Sequence, residues 1–256
     1  VDRAYWKEVV KAPNSEQLAL LDVQAHDTKL AQLQHRLTSL PQTAELADVR
    51  DRLARLRKEV IAAETIVSDL EREQLKADAD VDVVRERSRK DRELLDSGSI
   101  TDSKQLQSLE SELQSLAARQ TALEDVELEV MERLEGAKAA VVQLSSQVET
   151  TQAREQELAT ELAGLETEIG HERETVTAER GRVASLVSAE LLALYDKIRA
   201  DHAGVGAARF HRGRCEGCRL ELPPTEIASL KAAAEDEVLR CEECRCILIR
   251  TAESGL

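Results

Sequence analysis

Aromatic side chains are almost missing from this sequence: one Trp, one Phe and two Tyr make up 2% of its 256 residues. Aromatics supply much of the buried area of ordinary cores, so most of the chain is not built around a large globular interior. Glycine and proline are scarce too, at ten and four residues, which leaves few places for the backbone to turn. No apolar run approaches the roughly 20 residues needed to cross a bilayer as a helix. The stretch Val1-Asp-Arg-Ala-Tyr-Trp-Lys-Glu has no signal-peptide apolar core. These absences lead to the expectation of a soluble, cytoplasmic protein with no membrane partner. Excess positive charge is also lacking, with 35 Lys and Arg against 50 Asp and Glu and a formal net charge of −15. That argues against wrapping the whole surface around nucleic acid, whose phosphates need an excess of cations. The acid is unevenly placed, because residues 202–256 carry eight Lys/Arg against nine Asp/Glu. No Walker loop, HExxH or catalytic-triad pattern is present, and His26, His35 and His171 lack metal spacing. An enzyme with a small-molecule substrate is therefore not expected.

What the chain does have is a heptad repeat. From Leu106, every seventh residue through Val183 and the companion series from Leu109 through Leu186 give 24 positions, of which eighteen are apolar. Composition alone would supply ~10. A sustained 3.5-residue period keeps one stripe of a helix against a partner helix, as in a coiled coil. At ~1.5 Å per residue the helix would run on the order of 120 Å, and it is expected to continue past Leu186 through Leu191, Leu194, Tyr195 and Ile198. A first helix supplies the partner. It starts after Pro13, with Asn14 or Ser15 as N-cap and Gln17 nearby, and carries the seam Val23, Leu30, Leu37 with His26, Leu33, Leu40. After Pro41 the seam resumes in a new phase as Leu46, Leu53, Val60, Val67, Gln74, Val81 with Val49, Leu56, Ala63, Leu70, Ala77, Val84, then fades at Ser88 and Asp91. Proline removes a backbone donor and clashes with the preceding turn, so a kink is expected near Pro41, opposite polar Thr151 and Glu155.

Gly98 suits a left-handed C-cap, and Asp102 with Gln105 marks a fresh helix start. A reversal there places residues 15–40 beside about 159–184, the geometry of an antiparallel hairpin. Parallel pairing of two chains is the competing arrangement. Tyr5, Trp6, Val9 and Val10 would form a short turn docked at the base of the arm. The division expected is an N-terminal segment 1–14, a hairpin 15–201 with its turn near 96–102 and kink near 41, and a final module 202–256. Gly204-Val-Gly206 reads as the hinge into that module rather than as a nucleotide motif.

In the module, Cys215-Glu-Gly-Cys218 and Cys241-Glu-Glu-Cys244 are two CxxC pairs 22 residues apart. Two thiolates on one tight turn can converge on a metal, and a second such turn completes a tetrahedron. One structural zinc held by Cys215, Cys218, Cys241 and Cys244 is expected, and four thiolates leave no position open for a catalytic water. Strand-like alternation at Ala208–Arg212, a short helix from Pro224 with Ile227 and Leu230 inward, and Ile247-Leu248-Ile249 as a last strand complete a zinc ribbon with a helical insert. Cys246 is the odd cysteine, either a small buried residue or a redox thiol that swaps in for a ligand. Arg209, His211, Arg212, Arg214 and Arg219 cluster around the first knuckle with Phe210, while Arg240, Arg245 and Arg250 flank the second. This is a candidate basic face for phosphates or an acidic protein, with Phe210 available to stack a base. Surface arginines that merely offset thiolate charge are the competing explanation.

Taken together, Gly98-Ser-Ile-Thr-Asp-Ser-Lys-Gln-Leu106-Gln-Ser-Leu-Glu-Ser-Glu-Leu113 and the Cys215–Cys218, Cys241–Cys244 and Ile247-Leu248-Ile249 motifs resemble those of bacterial coiled-coil proteins ending in a C4-type zinc ribbon. Asp102 and Lys104-Gln105 depart from the Asn and Lys-Glu more usual in that family. Arg219 and Arg245 stand where many knuckles have Gly. The resemblance implies a mainly α fold, a long kinked antiparallel hairpin with a small β ribbon at its open end, and a binding protein. Family members are described as nucleic-acid-binding, or as adaptors for transcription and secretion components, including a sigma factor. The expected function is a non-enzymatic zinc-binding adaptor with a protein or nucleic-acid partner. Nonspecific RNA or DNA binding through the basic face, and a thiol-based redox switch, are the alternatives.

Overall fold

The computed structural model describes residues 10–255, so the expected turn at Tyr5, Trp6 and Val9 lies outside them. Five helices, α1 (Asn14–Thr38), α2 (Pro41–Asp96), α3 (Ser103–Ala184), α4 (Ala189–Asp201) and α5 (Pro224–Ala232), are joined by four short strands. The strands are β1 (Ala207–His211), β2 (Arg214–Cys215), β3 (Leu239–Arg240) and β4 (Ile247–Ile249). The chain divides into two compact units, one of residues 44–160 and one of residues 1–43 with 161–256.

The 44–160 unit is an antiparallel helix pair. All twelve α2 seam positions from Leu46 to Val84 are buried or half-buried, and the ion pairs across the seam fix direction and register. Arg50 meets Glu155 at 2.9 Å, Lys138 meets Glu71 at 3.0 Å, and Arg85 meets Glu124 at 2.7 Å, so numbers rise on one helix as they fall on the other. These pairs are solvent-exposed and add little; the apolar stripe supplies the stability. The seam does not fade at Ser88 and Asp91. Asp91 is buried, with Arg87 Nε donating to its carboxylate at 3.1 Å, and α2 continues to Asp96. The reversal is built as its residues suggest. Gly98 takes φ +68°, and Asp102 caps α3 by accepting the Lys104 N–H at 3.0 Å.

In the other unit α1 runs antiparallel to residues 161–184, with Lys29 against Glu172 at 2.7 Å and Gln42 donating to Glu161 at 2.9 Å. Leu33, Leu40, Ile169 and Val176 form the seam core. Three local details differ from the sequence expectation. Pro13 holds the cap position of α1 without a side-chain hydrogen bond; Gln17 turns inward instead, donating to the carbonyls of Ala12 (2.8 Å) and Glu235 (3.1 Å). Val10 is not part of a helical turn, because residues 10–12 run extended beside residues 236–238, with Val238 N–H donating to Val10 O at 3.2 Å and Ala12 N–H to Asp236 O at 2.8 Å. The helix does break before Pro41, since the residue preceding a proline is pushed out of the helical region. Gln42 and Glu161, not Thr151 and Glu155, stand across from each other there.

The second long helix also stops short of expectation. It ends at Ala184 and α4 begins at Ala189. Glu16 of α1 accepts the Ser188 N–H at 2.9 Å, satisfying a donor at the new helix start. The break turns Leu191, Tyr195 and Ile198 into a core shared with Leu20 and Val23 of α1 and Ile247 and Ile249 of β4. Arm base and ribbon are therefore fused by a common interior. At its edge Asp27 is 2% exposed. It accepts Arg180 Nε at 3.1 Å and the Tyr195 hydroxyl at 2.8 Å. Gln24 Oε1 accepts the Gly206 N–H at 2.7 Å, tying α1 to the start of the ribbon.

The sheet order is β2-β1-β4-β3, antiparallel at both edges and parallel between β1 and β4, with Ala207 opposite Ile247. The alternation of β1 sends Ala208 and Phe210 inward and Arg209 outward. The insert α5 starts at Pro224, where a missing N–H costs nothing, and Leu230 packs into the ribbon core.

Candidate metal centre

The four cysteines sit on two turns of matching construction. In the first, Arg219 N–H donates to Cys215 O at 2.7 Å and Cys215 N–H to Leu220 O at 3.0 Å. In the second, Arg245 N–H donates to Cys241 O at 2.9 Å and Cys241 N–H to Cys246 O at 3.0 Å. Arg219 and Arg245 both adopt φ +63°, the left-handed conformation that closes each knuckle and costs a non-glycine residue roughly 1–2 kcal/mol. The turns thus keep the glycine geometry despite lacking the glycine.

The sulfurs of Cys215, Cys218, Cys241 and Cys244 all lie within 4.8 Å of one another. Across the knuckles, Cys215 and Cys244 are 3.8 Å apart and Cys218 and Cys241 are 3.9 Å apart. A tetrahedral metal with metal–sulfur bonds of ~2.3 Å holds its sulfurs about 3.8 Å apart, so the donor set fits such an ion. Electrostatics favour a thiolate at Cys215. Its thiol is pulled down to about 5, chiefly by the interaction with Cys246, against burial and helped by the N–H groups of Cys218 and Gly217. Burial pushes Cys218 and Cys241 up, and the Cys215 sulfur together with burial pushes Cys246 up. Behind the second knuckle, buried Glu226 accepts the Glu242 N–H at 3.1 Å, and desolvation raises its carboxyl above the usual range.

The basic residues do not form one face. Arg209 and Arg219 line a groove against α1 with Leu21, Ala25 and Val205, and Arg219 continues to His211 and Arg214 around the first knuckle. Arg212 is exposed. Arg214 pairs with Glu221 at 3.5 Å and His211 approaches Glu253 at 4.0 Å. Arg245 and Arg240 instead line a pocket against Leu194 and Ile198 of α4. Two expectations are corrected. Phe210 is fully buried in the ribbon core, as the strand alternation demands, and is not offered for stacking. Arg250 is committed to the carbonyls of Ala233 (2.9 Å) and Ala234 (2.6 Å), and so closes the loop after α5. The Asp27–Arg180–Tyr195 network has no signal in the sequence pattern, whereas Cys246, one of whose expected states was a small buried residue, is buried.

Long paired helices joined to a small sheet with a four-cysteine cluster define a coiled-coil hairpin protein with a C4 ribbon. Residues 23–203 match the CT398-like coiled coil hairpin domain and residues 214–248 the C4-type zinc ribbon domain, and the chain belongs to this family. An uncharacterised protein of Mycobacterium tuberculosis is 39% identical over 251 residues, covering 94% of this chain and 98% of that one. A solved structure from Mycobacterium smegmatis is similar at 31% identity and TM-score 0.78, covering 94% of this chain and 100% of that one. The structure of CT398 from Chlamydia trachomatis shares the fold at 17% identity and TM-score 0.62, over 92% of this chain and 98% of that one.

Proposed function

We propose that this protein is a non-enzymatic adaptor in which Cys215, Cys218, Cys241 and Cys244 hold one structural zinc, residues 15–201 act as an arm, and residues 202–256 present a recognition surface. The observation that carries the reading is the closed four-sulfur cluster. Four thiolates fill a tetrahedral ion and leave no place for substrate or activated water, so the ion organises the ribbon instead of performing chemistry. When bound, zinc supplies cross-linking of the two knuckles; the chain supplies the sulfurs and the N–H groups that support them.

A protein partner with acidic and apolar groups suits the surface best. The groove lined by Leu21, Ala25 and Val205 also carries Arg209 and Arg219. Among the described residues, these two arginines make no side-chain hydrogen bond or ion pair. Single-stranded nucleic acid is the second reading, favoured by the same arginines but weakened by burial of Phe210, because such binders combine cations with stacking aromatics. The alternative of a thiol-based redox switch at Cys246 is disfavoured by its burial at 1% exposure.

The test is cross-linking of the tagged full chain in lysate beside the Arg209→Glu/Arg219→Glu variant, with RNA titrations across salt. A recurrent protein cross-link lost in the variant supports the adaptor reading. Binding of RNA alone, with affinity falling steeply as salt rises, selects the second reading. Neither outcome means both are wrong.

A further inference from the structure

The chain carries five thiols around a four-sulfur site, and the fifth is placed by design of the fold. Cys246 Sγ lies 3.2 Å from Cys244 Sγ and 3.5 Å from Cys215 Sγ, while those two are 3.8 Å apart. Three sulfurs thus form a nearly regular triangle, with Cys246 over the edge that joins one knuckle to the other. Its sulfur is not part of the set in which every pair lies within 4.8 Å, so it does not neighbour all four equally.

The matching hydrogen bonds of the knuckles make position 246 the counterpart of position 220. Leu220 is 51% exposed, whereas Cys246 is 1% exposed and turned onto the cluster. Room for it comes from Gly217, where an added Cβ would stand 3.1 Å from Cys246 Sγ and 3.1 Å from the Ala208 Cβ. A side chain at 217 would push the fifth sulfur away.

We propose that Cys246 is a reserve metal ligand that completes the four-sulfur set when Cys244, or secondarily Cys215, is removed or chemically blocked. Cys244 is the nearer of the two and is half-exposed, so it is also the sulfur that reagents reach more readily. Cys218 and Cys241 have no such substitute. This rests on the zinc reading of the cluster and adds an asymmetry to it: the four ligands are unequal in how far each can be spared.

The experiment is cobalt titration of the full chain and of its single Cys→Ala variants, read by thiolate-to-cobalt charge-transfer absorption, with zinc content by native mass spectrometry. Circular dichroism of each variant checks that the helices persist. Cys244→Ala is expected to retain one ion and a four-sulfur spectrum, binding at least ten-fold more tightly than Cys218→Ala or Cys241→Ala. Cys244→Ala/Cys246→Ala is expected to fall to the level of those two, and Cys246→Ala alone to bind like the unaltered chain. Equal losses in Cys244→Ala and Cys218→Ala, or no further loss on adding Cys246→Ala, overturn the reserve role. Failure of the unaltered chain to bind a metal overturns the zinc reading instead. Cys244→Ser and Cys218→Ser give the same comparison if an alanine variant does not fold.

Discussion

Among the glycines, Gly206 has the least room for a side chain. A Cβ there would lie 2.6 Å from the Tyr195 ring and 2.8 Å from the Tyr195 carbonyl oxygen, contacts that backbone cannot relieve cheaply. Gly206→Ala is expected to lower stability by about 1–3 kcal/mol, the range for overpacking, seen as a lower midpoint in denaturant. Tyr195 itself gives a pH signature. Burial, then the Asp27 carboxylate, hold its hydroxyl above the ordinary tyrosine value. The fold therefore keeps a proton that the unfolded chain releases. This stability is full below about pH 10 and is lost as pH rises beyond it. Tyr195→Phe is expected to flatten the alkaline limb of a stability-against-pH curve; an unchanged limb would refute the assignment. Neither residue could be picked out by pattern. Tyr195 reads as one more apolar position on a helix, Gly206 as a hinge, and Asp27 as a solvated charge beside a seam. Tyr195 and Asp27 acquire their roles from neighbours over a hundred residues away, in the pairings of Tyr195 with Asp27 and Arg180 with Asp27, and Gly206 from the Tyr195 ring that this network holds in place.

At the scale of elements, the hairpin was legible because its signal is repeated. Of the 24 seam positions read from Leu106 to Leu186 only Glu179, in the last turns of α3, and Leu186, just past its end, are exposed. The break between Ala184 and Ala189 was not legible, since no proline marks it and leucines continue through it. It is fixed by tertiary events: Glu16 holding the Ser188 N–H and the ribbon core drawing in Leu191. The Ser188 hydroxyl, and then its N–H, depress the Glu16 carboxyl below its usual value, so its contribution is present above that value and fades as pH falls through the lowered one. The reversal, by contrast, followed from Gly98 and Asp102 alone. Asp102→Ala removes the side-chain acceptor for Lys104 N–H and is expected to cost about 1 kcal/mol, measurable as earlier hydrogen exchange in the first turn of α3.

For the molecule as a whole, the cysteine spacing carried the metal-site expectation, because two CxxC turns have few other uses in combination. It could not reveal that the fifth sulfur touches Cys244 and Cys215, nor that Phe210 is buried in the ribbon core and Arg250 is tied to the carbonyls after α5. Those depend on which way β1 and the residues after β4 face. Strand β4 joins the two cores, with Ile247 and Ile249 packed against α1 and α4 and Leu248 in the ribbon interior, so metal removal should loosen both while leaving the 44–160 helix pair intact. Chelation of the full chain is expected to raise hydrogen exchange across residues 207–249 and adjoining α4 with little loss of total helicity.

The proposed adaptor role depends on a closed zinc site that performs no chemistry. X-ray absorption at the zinc edge of the purified full chain tests it most directly. One zinc per chain is expected, with four sulfur neighbours at ~2.3 Å and no oxygen or nitrogen neighbour. An oxygen ligand in the first coordination shell, or a chain that holds no zinc, would contradict it.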